Sequence, residues 1–151
     1  MHSRAASIVG LIDTGGILAI VDSRDRWHSL CLEALQSFRL PLLTTEAILT
    51  ETFRLTGRNP HNVEKTWRFV RSGALTIHPM QDAHLQELHA LMSQYSDRLM
   101  DFADATLVHL AARERVNAIL TVDHDDFETY RLPGGRSSLS FPGEANRETR
   151  L

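Results

Sequence analysis

Apolar and polar positions along this chain alternate in blocks that read in turn as strands and helices. The run Ser7-Ile8-Val9-Gly10-Leu11-Ile12 ends abruptly at Asp13. It predicts a buried strand over Ile8 to Ile12, followed by Gly15 and Gly16 as turn residues. Trp27, Leu30, Cys31, Ala34, Leu35 and Phe38 recur at helical spacing and predict an amphipathic helix closed by Pro41. Leu42 to Thr44 reads as a short strand. A helix then opens near Thr45, with Ala47, Ile48, Thr52 and Leu55 inward and Gly57 at its end. Asn59-Pro60 joins a capping residue to a proline at the first helical position, and Val63, Trp67 and Val70 line the face that follows, up to Gly73. Leu75 to His78 predicts a strand, and Leu85, Leu88, Leu91, Met92 and Tyr95 predict a helix. Phe102 to Arg115 predicts another, leading into a strand over Ile119 to Val122. Pro133-Gly134-Gly135 reads as a hairpin turn before an edge strand near Leu139 to Phe141. One domain over residues 1–143 is expected, with 144–151 as a frayed polar tail.

Strands alternating with helices imply an α/β domain with a mainly parallel sheet and helices on both faces. Ligands of such folds bind beyond the carboxyl ends of the strands, where the strand order reverses. Asp13 and Asp123 each directly follow a predicted strand. Both emerge at that edge if the first and last core strands are neighbours.

Two further acids fall on apolar stripes. Glu51 lies three residues after Ile48 and four before Leu55, which places it on the inward helix face. Asp101, Asp104 and Val108 share a face of a later helix, continued by Ala111 and Ala112. Carboxylates at such positions are costly unless a cation holds them. Two of them ~4 Å apart repel by ~4 kcal/mol at an effective dielectric of ~20. Three or four such pairs would rival the ~5–15 kcal/mol net stability of a domain. A bound divalent metal resolves this most simply. Taken singly, each acid also has a plainer role: Asp13 and Asp123 as turn caps, Asp101 and Asp104 as first-turn acids favoured by the helix dipole.

Composition narrows the class. The chain has 151 residues, 42% hydrophobic and 23% charged, as a soluble single domain does. No apolar run approaches the ~20 residues of a membrane span, and Asp13 interrupts the Ile8–Val21 stretch, so neither an anchor nor a secretory signal is expected. The lone Cys31 rules out an internal disulfide and points to a reducing cytoplasm. Its place on an apolar face makes it a packing residue. A net charge of −3 does not advertise a nucleic-acid binder. Lys65 is the single lysine. Arginine suits bidentate phosphate contacts, and Arg24, Arg26, Arg54 and Arg58 are candidates, although solvated helix faces explain such residues more often.

Four segments in order resemble the PIN-domain family, and within it the VapC-like toxin ribonucleases. They are Leu11-Ile12-Asp13-Thr14, Ile48-Leu49-Thr50-Glu51, Met100-Asp101-Phe102-Ala103-Asp104-Ala105 and Thr121-Val122-Asp123-His124-Asp125-Asp126-Phe127. Each motif is short and permissive; their joint order and spacing carry the likeness across most of the chain. The resemblance implies a three-layer α/β/α domain. It also implies a metal pocket of Asp13, Glu51, Asp104 and Asp123, with Asp101 nearby and Thr14 and Thr121 orienting the acids. All-oxygen ligation suits Mg²⁺ or Mn²⁺. The implied activity is endonucleolytic hydrolysis of RNA, with a small antitoxin as partner and a homodimer as assembly.

Rival readings meet specific obstacles. His84 and His89 are five apart and no His-Glu-x-x-His occurs, which argues against a zinc enzyme. The glycines from Gly10 to Gly16 lack the Lys-Ser/Thr of a phosphate-binding loop. A response-regulator receiver needs a lysine at a late strand end, whereas Lys65 lies mid-chain on a helix. Trp27 and Trp67 read as core rather than base-stacking platforms. Two alternatives remain beside the toxin: a PIN nuclease of RNA processing without an antitoxin, and a non-catalytic PIN-fold binding module.

Overall fold

The computed structural model describes residues 8–122. At its centre lies a parallel sheet whose strands are β1 (Leu11–Ile12), β2 (Leu42–Thr45), β3 (Leu75–His78) and β4 (Ile119–Leu120), in the order β3-β2-β1-β4. The registers are Leu11 with Leu43 on one side, and Leu11 with Ile119 and Ile12 with Leu120 on the other. The first and last core strands are therefore neighbours, as their terminal acids suggested. The order runs outward from β1 through β2 to β3 and then returns to β1's other side. Strand order thus reverses between β1 and β4, the place where such sheets bind ligands.

The helices are α1 (Thr14–Val21), α2 (His28–Leu35), α3 (Glu46–Thr56), α4 (Pro60–Arg71), α5 (Leu85–Gln94) and α6 (Phe102–Glu114). Several boundaries follow the chain's own signals. Thr45 caps α3 through Ile48 N–H, Asn59 caps α4 through His61 and Asn62 N–H, and Pro60 opens α4. Helix α6 is buried on nearly every side: Ala103, Ala105 and the run from Thr106 to Ala111 are all shielded. An all-round buried helix belongs in the core, and α6 packs against α3, α5 and β2.

The sequence reading needs correction at several points, among them the last strand, which ends at Leu120 rather than Val122. Gly15 and Gly16 are not a turn but the second and third residues of α1, which begins directly after β1. The first strand keeps only Leu11–Ile12, with Ile8 bridging to Phe38. Trp67 and Leu55, expected inward, are 48% and 50% exposed. Of α4 only Thr66 is buried, because no further element covers that face among the described residues. The expected hairpin, edge strand and tail beyond Val122 lie outside the described residues.

Candidate active site

Asp13 sits where β1 gives way to α1. Its backbone is extended (φ −100°, ψ −179°), the conformation of a helix N-cap. Oδ1 accepts the Gly16 N–H at 2.8 Å, and Oδ2 accepts the Thr121 hydroxyl at 2.5 Å. The side chain is thus a cap and a cross-strand acceptor at once, on a residue only 6% exposed. The two glycines allow this closeness. A Cβ on Gly16 would stand 2.3 Å from the Leu120 carbonyl oxygen, and one on Gly15 would stand 2.7 Å from Val122 Cγ2. The first turn of α1 rests directly on the end of β4.

Glu51 is half-buried on α3. The Thr14 hydroxyl lies 3.3 Å from its Oε2 and 3.4 Å from the Ile48 carbonyl, a bifurcated donor. Asp13 and Glu51 are therefore linked through adjacent residues. Among the described residues Glu51 makes no ion pair.

Asp104 is half-buried in the first turn of α6, and Asp101, exposed, is the N-cap. They form a reciprocal capping box: Asp104 N–H donates to Asp101 Oδ1 at 2.8 Å, and Asp101 N–H donates to Asp104 Oδ2 at 3.4 Å. Asp13, Asp101 and Asp104 thus all lie at helix N-termini. The dipole favours each carboxylate by ~0.3–1 kcal/mol. That is smaller than the ~4 kcal/mol that one carboxylate pair ~4 Å apart would cost.

Two further contacts draw these elements together. The Thr44 hydroxyl donates to the Ile12 carbonyl at 3.0 Å, and Thr45 and Thr106 share a buried hydroxyl–hydroxyl bond of 2.8 Å. The sequence reading included Thr14 and Thr121 but missed Thr44, Thr45 and Thr106. The available signal was a run of hydroxyls at the end of a buried strand and another two residues past Asp104. Among the described residues no three of His, Cys, Asp and Glu gather as a metal cluster. Asp123, the fourth acid, lies outside the described residues.

Two further places hold titratable groups with perturbed surroundings, Cys31 and the His84–His109 pair. Burial, then the negative charges of Asp25 and Asp13, push the Cys31 thiol up to about 11, and the side chain is fully shielded. His109 Nδ1 pairs with Glu87 Oε2 at 2.8 Å, and its ring packs 4.6 Å from that of His84. Desolvation, then the neighbouring His109 and Arg113, hold the His84 imidazole below its ordinary value.

Residues 10–132 match the PIN domain family model, a span containing all four candidate acids. The chain belongs to the PIN domain family. This PIN domain is 28% identical to Ribonuclease VapC26 of Mycobacterium tuberculosis over 134 residues, which make up 87% of this chain and 99% of that protein. Its fold is similar to the crystal structure of Mycobacterium tuberculosis VapC20, described as a sarcin-ricin loop cleaving toxin. That likeness has a TM-score of 0.68 at 17% identity and covers 80% of this chain and 92% of the other. The expected PIN-like three-layer α/β/α architecture is thereby met.

Proposed function

We propose that this PIN domain is a metal-dependent endoribonuclease, hydrolysing RNA phosphodiester bonds as the toxin of a type II toxin–antitoxin pair. The observation that carries the reading is the placement of Asp13. Its carboxylate is clamped at the strand-order reversal by Gly16 N–H and Thr121, while the next residue reaches Glu51. The kinship with Ribonuclease VapC26 supports the substrate class.

Asp13, Glu51, Asp104 and Asp123 would hold the cation. An all-carboxylate donor set fits a hard ion, Mg²⁺ or Mn²⁺, and a carboxylate oxygen with two lone pairs is not exhausted by one accepted hydrogen bond. Bound there, the ion would lower the pKa of a hydrolytic water and neutralise charge on the scissile phosphate. The chain's own residues do the rest. Thr121 and Gly16 N–H fix the Asp13 carboxylate plane. Thr14 restrains Glu51, and the Asp101 cap steadies the turn carrying Asp104. The reaction adds water across one P–O bond and leaves one strand end phosphorylated and the other as a hydroxyl.

The same reading assigns nuclease activity to residues 1–143, a cytoplasmic location, a small antitoxin that covers the acids, and pairing of two copies of the chain. No helix among the described residues is long and apolar enough to cross a membrane.

One observation favours a second reading, a non-catalytic binding module. The described acids do not form a three-ligand cluster, and Asp13 and Asp104 both take part in helix capping. Purified protein and its Asp13→Asn variant, each incubated with structured RNA and Mg²⁺, separate the two. The nuclease reading expects cleavage by the parent and none by the variant, whose amide can still cap α1. No cleavage by the parent favours the binding module, and equal cleavage by both overturns the role assigned to Asp13. Co-purification with the product of an adjacent small reading frame, together with inhibition by it, tests the toxin pairing.

A further inference from the structure

Helices α3 and α6 carry Glu51 and Asp104, and a buried polar contact joins the two elements. Thr45, the cap of α3, and Thr106, in the second turn of α6, are both fully shielded from solvent. Their hydroxyl oxygens lie 2.8 Å apart across 61 residues of sequence. One proton arrangement satisfies both hydroxyls. Thr106 Oγ1 donates to the Ala103 carbonyl at 2.7 Å, and a hydroxyl has one hydrogen to give. Thr45 then donates to Thr106, while it accepts the Ile48 N–H at 3.3 Å. Each hydroxyl donates once and accepts once. The chain of bonds runs from the Ile48 amide to the Ala103 carbonyl, the residue just before Asp104.

The same Ile48 peptide is tied on its other side. Its carbonyl accepts the Thr52 hydroxyl at 2.7 Å and lies 3.4 Å from Thr14 Oγ1. One continuous set of buried hydroxyl bonds thus joins the start of α1, the first turns of α3 and the first turns of α6. These are the three elements that carry Asp13, Glu51 and Asp104.

We propose that the Thr45–Thr106 pair is a positioning element of the nuclease site. It sets the spacing between the helices bearing Glu51 and Asp104, and through that spacing the affinity of the acidic edge for a divalent cation. The inference rests on the nuclease reading above. Neither threonine touches substrate or ion; each acts through the helix it anchors.

The test is titration calorimetry with Mn²⁺ on the full-length protein and on Thr45→Val, Thr106→Val, the double variant and Thr45→Ser. Melting curves and the KM and kcat for RNA cleavage accompany it. Each valine should weaken Mn²⁺ binding by about tenfold, the scale of a lost outer-shell partner. The double variant should bind Mn²⁺ no more weakly than the worse single one, because the bond that sets the helix spacing is the one both substitutions share. The kcat should fall while KM for RNA holds, and Thr45→Ser should restore both affinity and rate. Thr106→Val leaves the α3 cap intact and carries the test if Thr45→Val does not fold. Valine variants that melt earlier but bind Mn²⁺ and turn over like the parent overturn the positioning role alone, as do additive losses in the double variant. A parent protein that neither binds Mn²⁺ nor cuts RNA overturns the nuclease reading, and this inference with it.

Discussion

The Thr121 hydroxyl at the end of β4 donates to Asp13 Oδ2 at the end of β1, joining residues 108 apart at 2.5 Å. Two neighbouring parallel strands are stitched at their carboxyl ends by a side chain the proposed chemistry needs. The bond spans the place where β1 and β4 part. Its loss should be felt in both stability and rate. Thr121→Val removes the donor and keeps the shape. We expect a destabilisation of about 1–3 kcal/mol, the cost of depriving a buried acceptor of its partner. A fall of about 10–100-fold in RNA cleavage should accompany it. Urea denaturation and initial cleavage rates on the same preparations check both.

Gly16→Ala poses a contest between two effects. Helix propensity favours alanine by up to ~1 kcal/mol. Against it, the new methyl would meet the Leu120 carbonyl at 2.3 Å, closer than real Cβ atoms come. Overpacking of this kind costs about 1–3 kcal/mol, so packing wins. The variant should show a lower urea midpoint than the parent; an increase would mean that α1 does not rest on β4 as described.

Divalent ions should stabilise the folded chain by mass action. At 100 times the dissociation constant the gain is about 2.7 kcal/mol. The melting midpoint should therefore rise with Mg²⁺ or Mn²⁺ and return to baseline with EDTA. Glu51→Gln, which removes charge but can still accept from Thr14, should abolish most of that rise. Differential scanning calorimetry across an ion titration measures it.

Cys31 gives the pH dependence a defined sign. Its folded-state value is about 11, above the 9.0 of a free thiol, because burial and then Asp25 and Asp13 disfavour the thiolate. A raised value means that the thiol's contribution is fully present below pH 9.0 and is lost as pH climbs towards about 11. Stability should decline over that window, and Cys31→Ala should flatten the decline. The thiol should also resist disulfide reagents at neutral pH until the protein unfolds.

Much of this architecture is legible along the chain, for reasons that can be stated residue by residue. Thr45 and Asn59-Pro60 mark helix starts because capping is local chemistry, settled within three or four residues. Asp13, Glu51 and Asp104 stood out because charge on an apolar stripe is rare for energetic reasons. Helix α1 was hidden by Gly15 and Gly16, whose role depends on a strand more than 100 residues later. Periodicity also shows which side chains share a face but not whether anything covers it; Trp67 and Leu55 were misjudged on that account. The hydroxyl network left little trace either. A threonine in a buried element looks alike whether it bonds its own turn, as Thr66 does with Asn62, or a distant helix, as Thr45 does with Thr106.

That network has a consequence for enzymology. Threonine hydroxyls and backbone amides do not titrate anywhere in the range where proteins stay folded, so the links that Thr44, Thr45 and Thr106 make between elements are silent to pH. An acidic loss of cleavage would then trace to the carboxylates, which are reactive groups and helix caps at once, and not to the hydroxyl links. Kinetic titration of this protein becomes a readout of its acidic edge, caps included.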